Sequence, residues 1–520
     1  MVISRQRKRQ GPVCLRIALV CFLAGLVVAG ALWGQELSPS AAYHPIVAAV
    51  HVHSTASTGT LTLEALAERA ERLGIDAILL TENLVLRYEY GLRPFEQSVK
   101  VQQSFPSLAT YGIGRYLQEV AEVQAKHPTV LLIPGVEVAP HYYWTGSLLG
   151  RNLTMHDAQR NLLIFGLMNE EAYRTLPALG NEESYGTDRR WLAGLLPVLL
   201  FGSAIWMGYP RPRAVDLADQ ATGRRSCFAI VLALFMMVVA GVLLYNAWPL
   251  RVPPFSQYDE HLGFRPYQAL IDRVAAQGAV ALWSLPEAKD FRTASFGPLG
   301  TVTIKTDPHP DALMLTEGYA GFGGLYQEAR SAQVPGGLWD QLIDLYQTRQ
   351  RPQRPAMVGE IAFHSPDHAK KELDQVLTVL WVKQHTPEGI LDALTQGRAY
   401  AVERYAKGFR LKLDEFQIST DSSPFQATVG AVVHRIGGEP VRLLVRLSAT
   451  DRAAHAVTLR VIRSGQVLAT RKGQTPLEFQ MADETVTPDQ PTAYRLEVTG
   501  GGVGELLSNP IYVEPFRGRG

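Results

Sequence analysis

Cysteine is almost absent from this chain: three residues in 520, Cys14, Cys21 and Cys227, each inside a strongly apolar segment. A disulfide framework is therefore excluded, and cysteine usage says nothing about the redox compartment. An excess of charge of one sign is also lacking. Fifty Lys and Arg face 49 Asp and Glu, a formal net charge of +1, so no basic surplus argues for nucleic acid as a partner. No Gly-rich phosphate loop, Gly-x-Ser-x-Gly elbow or Cys–His nucleophile pair stands out, which leaves acyl transfer and P-loop nucleotide hydrolysis with little support. What the chain does have is size and apolar content. At 520 residues and 47% hydrophobic it can fill two or three domains.

Three apolar runs are long enough to concern a membrane. The basic start Ser4–Arg9 precedes Pro12–Trp33, about the 20 residues needed to span a bilayer. It reads as a signal anchor (residues 13–34 behind a cytoplasmic 1–12) or as a cleaved signal peptide, since Ala29-Gly30-Ala31 resembles a processing site. Trp191–Met207 and Cys227–Trp248 flank a loop with Arg211, Arg213, Arg224 and Arg225. The positive-inside rule puts that loop in the cytoplasm and predicts a transmembrane hairpin over 190–248. A buried core helix is the alternative for the first of the two, which carries Pro197 and Gly202. The expected location is the cell membrane, with residues 42–188 and 249–405 together on its outer side.

Those flanking parts carry the chemistry. His51-Val-His53-Ser54 follows the apolar run Ile46–Val50, and residues two apart on a strand face the same way. Both imidazoles can therefore converge on one metal or phosphate, or simply stand at a strand end. An amphipathic helix is predicted over Leu63–Leu73, with Thr62 as N-cap and Gly74 as stop. A buried strand, Ile75–Leu80, then delivers Thr81-Glu82-Asn83, and another, Val130–Ile133, delivers Pro134-Gly135-Val136-Glu137. Carboxylates and imidazoles after successive strands are the layout of a (β/α) barrel. Gly321-Phe322-Gly323-Gly324 reads as a loose surface turn, Tyr142, Tyr143 and Trp144 as pocket or interface, and Trp339-Asp340 as packing.

The order HVHSTASTG, TENL, GVEV resembles the PHP family, the polymerase and histidinol phosphatase superfamily of metal-dependent phosphoesterases. Ser284-Leu285-Pro286 after a strand, Ala362-Phe363-His364, and the stretch from Thr386-Pro387 to Gly397-Arg398-Ala399-Tyr400 continue the likeness over about two thirds of the chain. The resemblance implies a distorted barrel, divalent metal and hydrolysis of a phosphate ester by water activated on the metal. It carries metal ligation onto His51, His53, Glu137 and His364. Thr58, Asn83, Leu285 and Ala362 stand where further ligands belong, and Asn161 in place of another histidine. Leucine and alanine cannot ligate and an amide is a weak partner, so the expectation is one ion, zinc, manganese or iron, rather than a multinuclear cluster. Glu82 and Glu137 are the expected catalytic carboxylates, with His141, His156, His261 and His309 as unaligned reserves. A phosphorylated small molecule or lipid headgroup is the expected partner, and a non-catalytic binding module of the cell envelope is the alternative. Beyond Tyr405, short alternating segments between 409 and 515 predict a β-sandwich.

Overall fold

The structure is a computed structural model, described over residues 43–92, 95–186, 194–208, 222–247, 251–326, 330–366, 371–404, 408–423 and 427–516. Strand β1 (His44–Val52) pairs in parallel with β2 (Ala77–Leu80). Between them runs the helix Leu63–Leu73, where the Thr62 hydroxyl accepts from the Ala65 amide at 3.2 Å and Gly74 closes the helix at φ 65°. Leu63, Leu66, Ala67 and Ala70 bury one stripe of that helix, and the runs AAVHV and AILL are buried on both faces. Only two residues further, β3 (Glu82–Asn83) has passed into a second sheet. The hairpin β4 (Arg87–Gly91) and β5 (Lys100–Ser104) projects next. The same change of sheet recurs where β6 (Leu131–Ile133), paired with β2, continues through Pro134 into β7 (Gly135–Val138), paired with β3.

The second sheet then runs outward from β7. After the ladder β8 (Tyr143–Thr145) and β9 (Thr154–His156) comes β10 (Leu162–Phe165), antiparallel to β7. Next is β11 (Val280–Trp283), followed by the hairpin β12 (Asp290–Ser295) and β13 (Thr301–Thr306). β14 (Gly321–Leu325) lies between β11 and the edge strand β15 (Ala356–Gly359). The expected surface turn at Gly321–Gly324 is thus a buried central strand. A Cβ on Gly321 would lie 2.4 Å from the Ala356 carbonyl oxygen and one on Gly323 1.7 Å from Glu360 Oε2, so close approach selects glycine against its poor strand propensity.

Two sheets rather than one continuous ladder carry these strands, and backbone bonds knit their ends. Ile361 N donates to Val50 O (3.0 Å), Phe363 N to His51 O (2.9 Å) and His53 N to Phe363 O (2.9 Å). The first sheet continues through β16 (Val376–Val382) and β17 (Ala399–Glu403). The C-terminal strands comprise β18 (Leu411–Ser419), β19 (Ala427–Thr428), β20 (Val432–Arg435), β21 (Val441–Ala449), β22 (Ala456–Arg463), β23 (Gln466–Gln474), β24 (Leu477–Asp483), β25 (Thr492–Gly500), β26 (Gly504–Ser508) and β27 (Ile511–Pro515). β18, β19, β21 and β24 form their own sheet, whereas β26 pairs with β17 and draws β20, β22, β23, β25 and β27 into the first sheet. Arg495 seals the junction, bonding Asp340 at 2.8 and 2.7 Å while stacked over Trp339.

The membrane expectation is reduced in one respect. The helix Thr222–Ala247 contains a 20-residue stretch, Phe228–Ala247, long and apolar enough to cross a bilayer. Its predecessor, Leu196–Gly208, has 13 residues and at 1.5 Å per residue reaches about 20 Å, short of the roughly 30 Å hydrocarbon core. Among the described residues one helix is thus a candidate span, and the expected hairpin is not shown. Arg224 and Arg225 fall inside the longer helix, not in a loop. Residues 1–34, Arg211 and Arg213 lie outside the described residues.

Candidate metal centre

Strand geometry turns the two histidines of β1 toward one point. His51 sits at a register shift between Val50 and Val52 and takes φ 72°, a conformation costly for a residue with a Cβ. Its Nε2 lies 3.0 Å from His53 Nε2 and 3.3 Å from Glu137 Oε1, and His53 Nε2 lies 3.6 Å from Glu137 Oε2. All three side chains are buried. An ion held tetrahedrally at 2.0–2.1 Å requires donor atoms about 3.3 Å apart, the centre of these three distances. His51, His53 and Glu137 are the group whose ligand atoms lie mutually within 4.8 Å among the described residues.

The remaining nitrogens are tied down from behind. His51 Nδ1 bonds Glu360 Oε1, and that carboxylate also accepts from the Ser284 hydroxyl and, at 3.1 Å, from the Leu285 amide. His53 Nδ1 lies 3.4 Å from the Ser57 hydroxyl, which donates to Glu82 Oε2. With Nδ1 acting as donor in each ring, both Nε2 atoms carry lone pairs toward Glu137, a tautomer assigned from the bonding network. Two lone pairs 3.0 Å apart repel unless a proton or another cation stands between them. The donor set, its spacing and its supporting carboxylate therefore fit a divalent ion of the zinc, manganese or iron class.

Electrostatics point the same way. Burial works against the charge on His51, yet Glu137 and Glu360 outweigh it and raise the imidazole to about 9. Burial, then His364 and His51, push His53 well below the ordinary histidine value, so it is neutral. Burial likewise opposes charge on Glu137, but His51 above all keeps its carboxyl below the usual range. In the metal-free protein the proton on His51 thus occupies the place a metal cation would take.

Several expected residues have other places. His364 stacks on His53 with ring centroids 4.2 Å apart, and its Nδ1 meets the Thr58 hydroxyl at 3.0 Å; it stands beside the three-residue group, not within it. Glu82 is no replacement ligand in this arrangement: Oε1 accepts from the Ser54 amide at 2.8 Å and Oε2 from Ser57, so it braces the turn after His53. Burial raises its carboxyl above the ordinary value. Asn83 and Asn161, which replace ligands of the resembled motifs, each donate an amide to Glu137, at 2.7 Å to Oε2 and 2.6 Å to Oε1. Thr58 donates to Asn83 Oδ1 at 2.8 Å, so the three substituted positions have become a clamp on one carboxylate. Leu285 and Ala362 carry φ 40° and 47°, which with His51 gathers three left-handed non-glycine residues around one spot. His141 bonds Ser256 O, His156 bonds Thr145, His309 bonds Asp307 O, and His261 lies beside Glu260 on the surface; none joins the group.

Glu360 went unread in the sequence. The available signal was its position: it follows the buried strand AMVG directly, and Glu82 and Glu137 likewise come shortly after β2 and β6.

No protein-family model matches the chain, and no curated protein matches it either. Solved structures do. A two-domain protein from Bacteroides vulgatus containing a PHP-like metal-dependent phosphoesterase is 15% identical, with 90% of this chain and 95% of that one covered and a TM-score of 0.34. A metal-dependent phosphoesterase from Bifidobacterium adolescentis is 14% identical over 61% of this chain and 87% of the other, at 0.26. An amidohydrolase from Chromobacterium violaceum, with sulfate and no metal bound, is 15% identical over 62% and 88%, at 0.24. PHP-like phosphoesterases are among this chain's structural neighbours.

Proposed function

We propose that this protein is a membrane-attached, metal-dependent phosphoesterase of the PHP type with a reduced, one-ion site. The observation that carries the reading is the triangle of His51 Nε2, His53 Nε2 and Glu137, 3.0–3.6 Å on a side, with Glu360 bonded behind His51. His51, His53 and Glu137 would hold the ion, and His364, stacked against His53, would border its open side. When bound, a divalent ion supplies Lewis acidity toward a phosphoryl oxygen and lowers the pKa of water. The protein's own part is to aim both Nε2 atoms, through Glu360 and the Ser57–Glu82 relay, and to hold Glu137 with Asn83 and Asn161. The two sheets, knitted through residues 361–363, would form the distorted barrel, with the C-terminal strands making a sandwich against it. The helix Thr222–Ala247 would cross the bilayer together with the segment Trp191–Met207, because β10 and β11, which flank these segments in the sequence, pair in one sheet and so share one side; the basic residues between them would lie inside and the site outside the cytoplasm.

A second reading, an ion-binding module without turnover, is favoured by Leu285 and Ala362, which offer no ligand where the resembled motifs have one. Metal analysis of detergent-purified full-length protein tests both. About one equivalent of zinc, manganese or iron, lost in His51→Ala/His53→Ala and in Glu137→Ala, is expected, and phosphatase assays on the loaded protein then separate the two readings. No ion bound even after resupply would retire the metal site.

A further inference from the structure

The helix Thr222–Ala247 leaves the folded body with its side chains largely bare: Phe235 and Val238 are each 64% exposed and Tyr245 73%. Its end is fastened. Asn246 accepts through Oδ1 from Gln97 N (2.8 Å), Ser98 N (2.9 Å) and the Ser98 hydroxyl (3.0 Å), which ties the tip of the β4–β5 hairpin to the last turn of the helix. Past the helix, the Tyr258 hydroxyl accepts from Gly91 N (2.7 Å) and donates to Gly91 O (3.1 Å) at the end of β4. Whatever depth the helix end takes in a bilayer, the hairpin tip takes with it. Leu92 and Val99 at that tip are 43% and 48% exposed.

A second hairpin tip points the same way. Tyr88 meets Tyr142 and Tyr90 meets Trp144, each with ring centroids 5.3 Å apart, so β4 and the chain entering β8 advance side by side. Trp144 Nε1 also donates to Glu89 O (2.8 Å). Leu92 follows Tyr90 by two residues and Gly146 follows Trp144 by two, so the β4–β5 and β8–β9 tips begin at one level. Tyr88, Tyr142, Trp144, Met155, Phe296 and Val302 belong to one small buried core beneath them, which holds the two tips in a fixed relation. Beyond that core, on the β8–β9 loop, Leu149 is 98% exposed, with Arg151 exposed two residues on. Single exposed apolar residues are ordinary; these gather on one face at the root of an apolar helix. Leucine and valine at loop crests, with a tyrosine and an arginine beside them, match the chemistry of a lipid–water interface, acyl carbon on one side and polar headgroups on the other.

We propose that the β4–β5 and β8–β9 tips rest on the lipid bilayer beside the helix, with Leu92, Val99 and Leu149 in the headgroup layer, so that the folded body is seated on the membrane as well as tethered to it. The proposal rests on the membrane-crossing reading of the helix. Tyr88 and Tyr142, beneath the same tips, line the narrow pocket of Asn83, Glu137 and Asn161. Tyr88 is four residues from Leu92, about 13 Å along a strand, so the seat fixes how far the candidate metal centre stands from the lipid surface. The test uses full-length protein, with Cys14, Cys21 and Cys227 changed to Ser, in lipid nanodiscs holding one copy each. Nitroxide labels are placed singly through Phe235→Cys, Leu92→Cys, Leu149→Cys and Phe291→Cys, and their collisions with oxygen and with a water-soluble nickel chelate report depth. Phe291 is the water reference, 65% exposed on β12 and at the end of that strand far from its turn. The expected result is a label at acyl depth at position 235, labels shifted to headgroup depth at 92 and 149, and a label in water at 291. If position 235 lies among acyl chains while either tip label is as open to the nickel chelate as the one at 291, the seat is overturned and the crossing helix stands. A label in water at 235 overturns the crossing and the seat with it. Tips shielded only in discs that hold two copies assign the face to contact between copies of this chain and overturn the seat as well.

Discussion

The metal centre and the C-terminal sheets both bury charge, and they deal with it in opposite ways. Around β25, every buried ion has a protein partner: Arg495 takes Asp340, Arg435 takes the carbonyls of Glu439, Val486, Thr487 and Pro488, and Asp483 takes Arg463. Around β1 the buried carboxylates of Glu82, Glu137 and Glu360 meet hydroxyls, amides and histidines, with no lysine or arginine bonded to them among the described residues. Leaving carboxylates without cations in a dry interior is costly. The first region is a finished structure; the second is balanced only when protons or an ion complete it.

That contrast can be broken at either end. Asp340→Ala should produce the largest loss, about 3–5 kcal/mol in urea unfolding, because Arg495 would stay buried without its partner; ion affinity should not move. At the metal centre, Glu137→Gln should cost the chelated protein only the attraction that raises His51, a smaller loss than that of Asp340→Ala and one that disappears as pH rises past about 9. It should abolish the gain from added ion, which in the parent reaches about 4 kcal/mol at a thousandfold excess over Kd. If Glu137→Gln instead unfolds the chelated protein as Asp340→Ala does, the distinction between the regions falls. Glu360→Gln should keep one ion per chain but weaken it by about 10–100-fold in a chelator competition, since the carboxylate acts through His51.

The pH response sharpens the comparison with a smaller effect. His51 is raised from 6.5 to about 9, so its protonation stabilises the metal-free fold fully below about pH 6.5. That contribution is lost as pH rises through about 9. Ion binding needs the same nitrogen free and should strengthen over the same window, with proton release. Melting curves at pH 6, 7.5 and 9 should therefore fall with pH for chelated protein and diverge upward for ion-loaded protein. Parallel curves would place the proton elsewhere.

How much of this could be read in the chain depended on whether the signal was local. The helix Leu63–Leu73 and its caps follow from a 3.6-residue stripe bounded by Thr62 and Gly74, and the structure keeps those bounds. The pairing of His51 and His53 followed from strand periodicity, whereas the set with Glu137 and His364 came from the PHP resemblance, and His364 stands outside the group. The clamp of Asn83 and Asn161 was visible only as lost ligands, because a donated amide bond depends on where β3, β7 and β10 lie in space. Glu360 matches no motif position for a related reason: the position that does is Ala362, two residues on. The glycines of β14 misled because propensity disfavours them in strands, while the close approach of Ala356 and Glu360 demands them. The linkage of β26 to β17 crosses about a hundred residues of sequence and left no periodic trace.

That linkage has a practical side. β17 has two neighbours, β16 from the part with the candidate metal centre and β26 from the C-terminal part, so it works as a shared seam. A chain cut at the obvious composition change near residue 405 would leave Ala399–Glu403 as a bare, apolar edge of five buried residues. Such an edge recruits strands from other molecules. The part with the candidate metal centre, freed of its C-terminal strands, is thus expected to polymerise or precipitate, and the two parts are best moved, expressed and inherited as one piece.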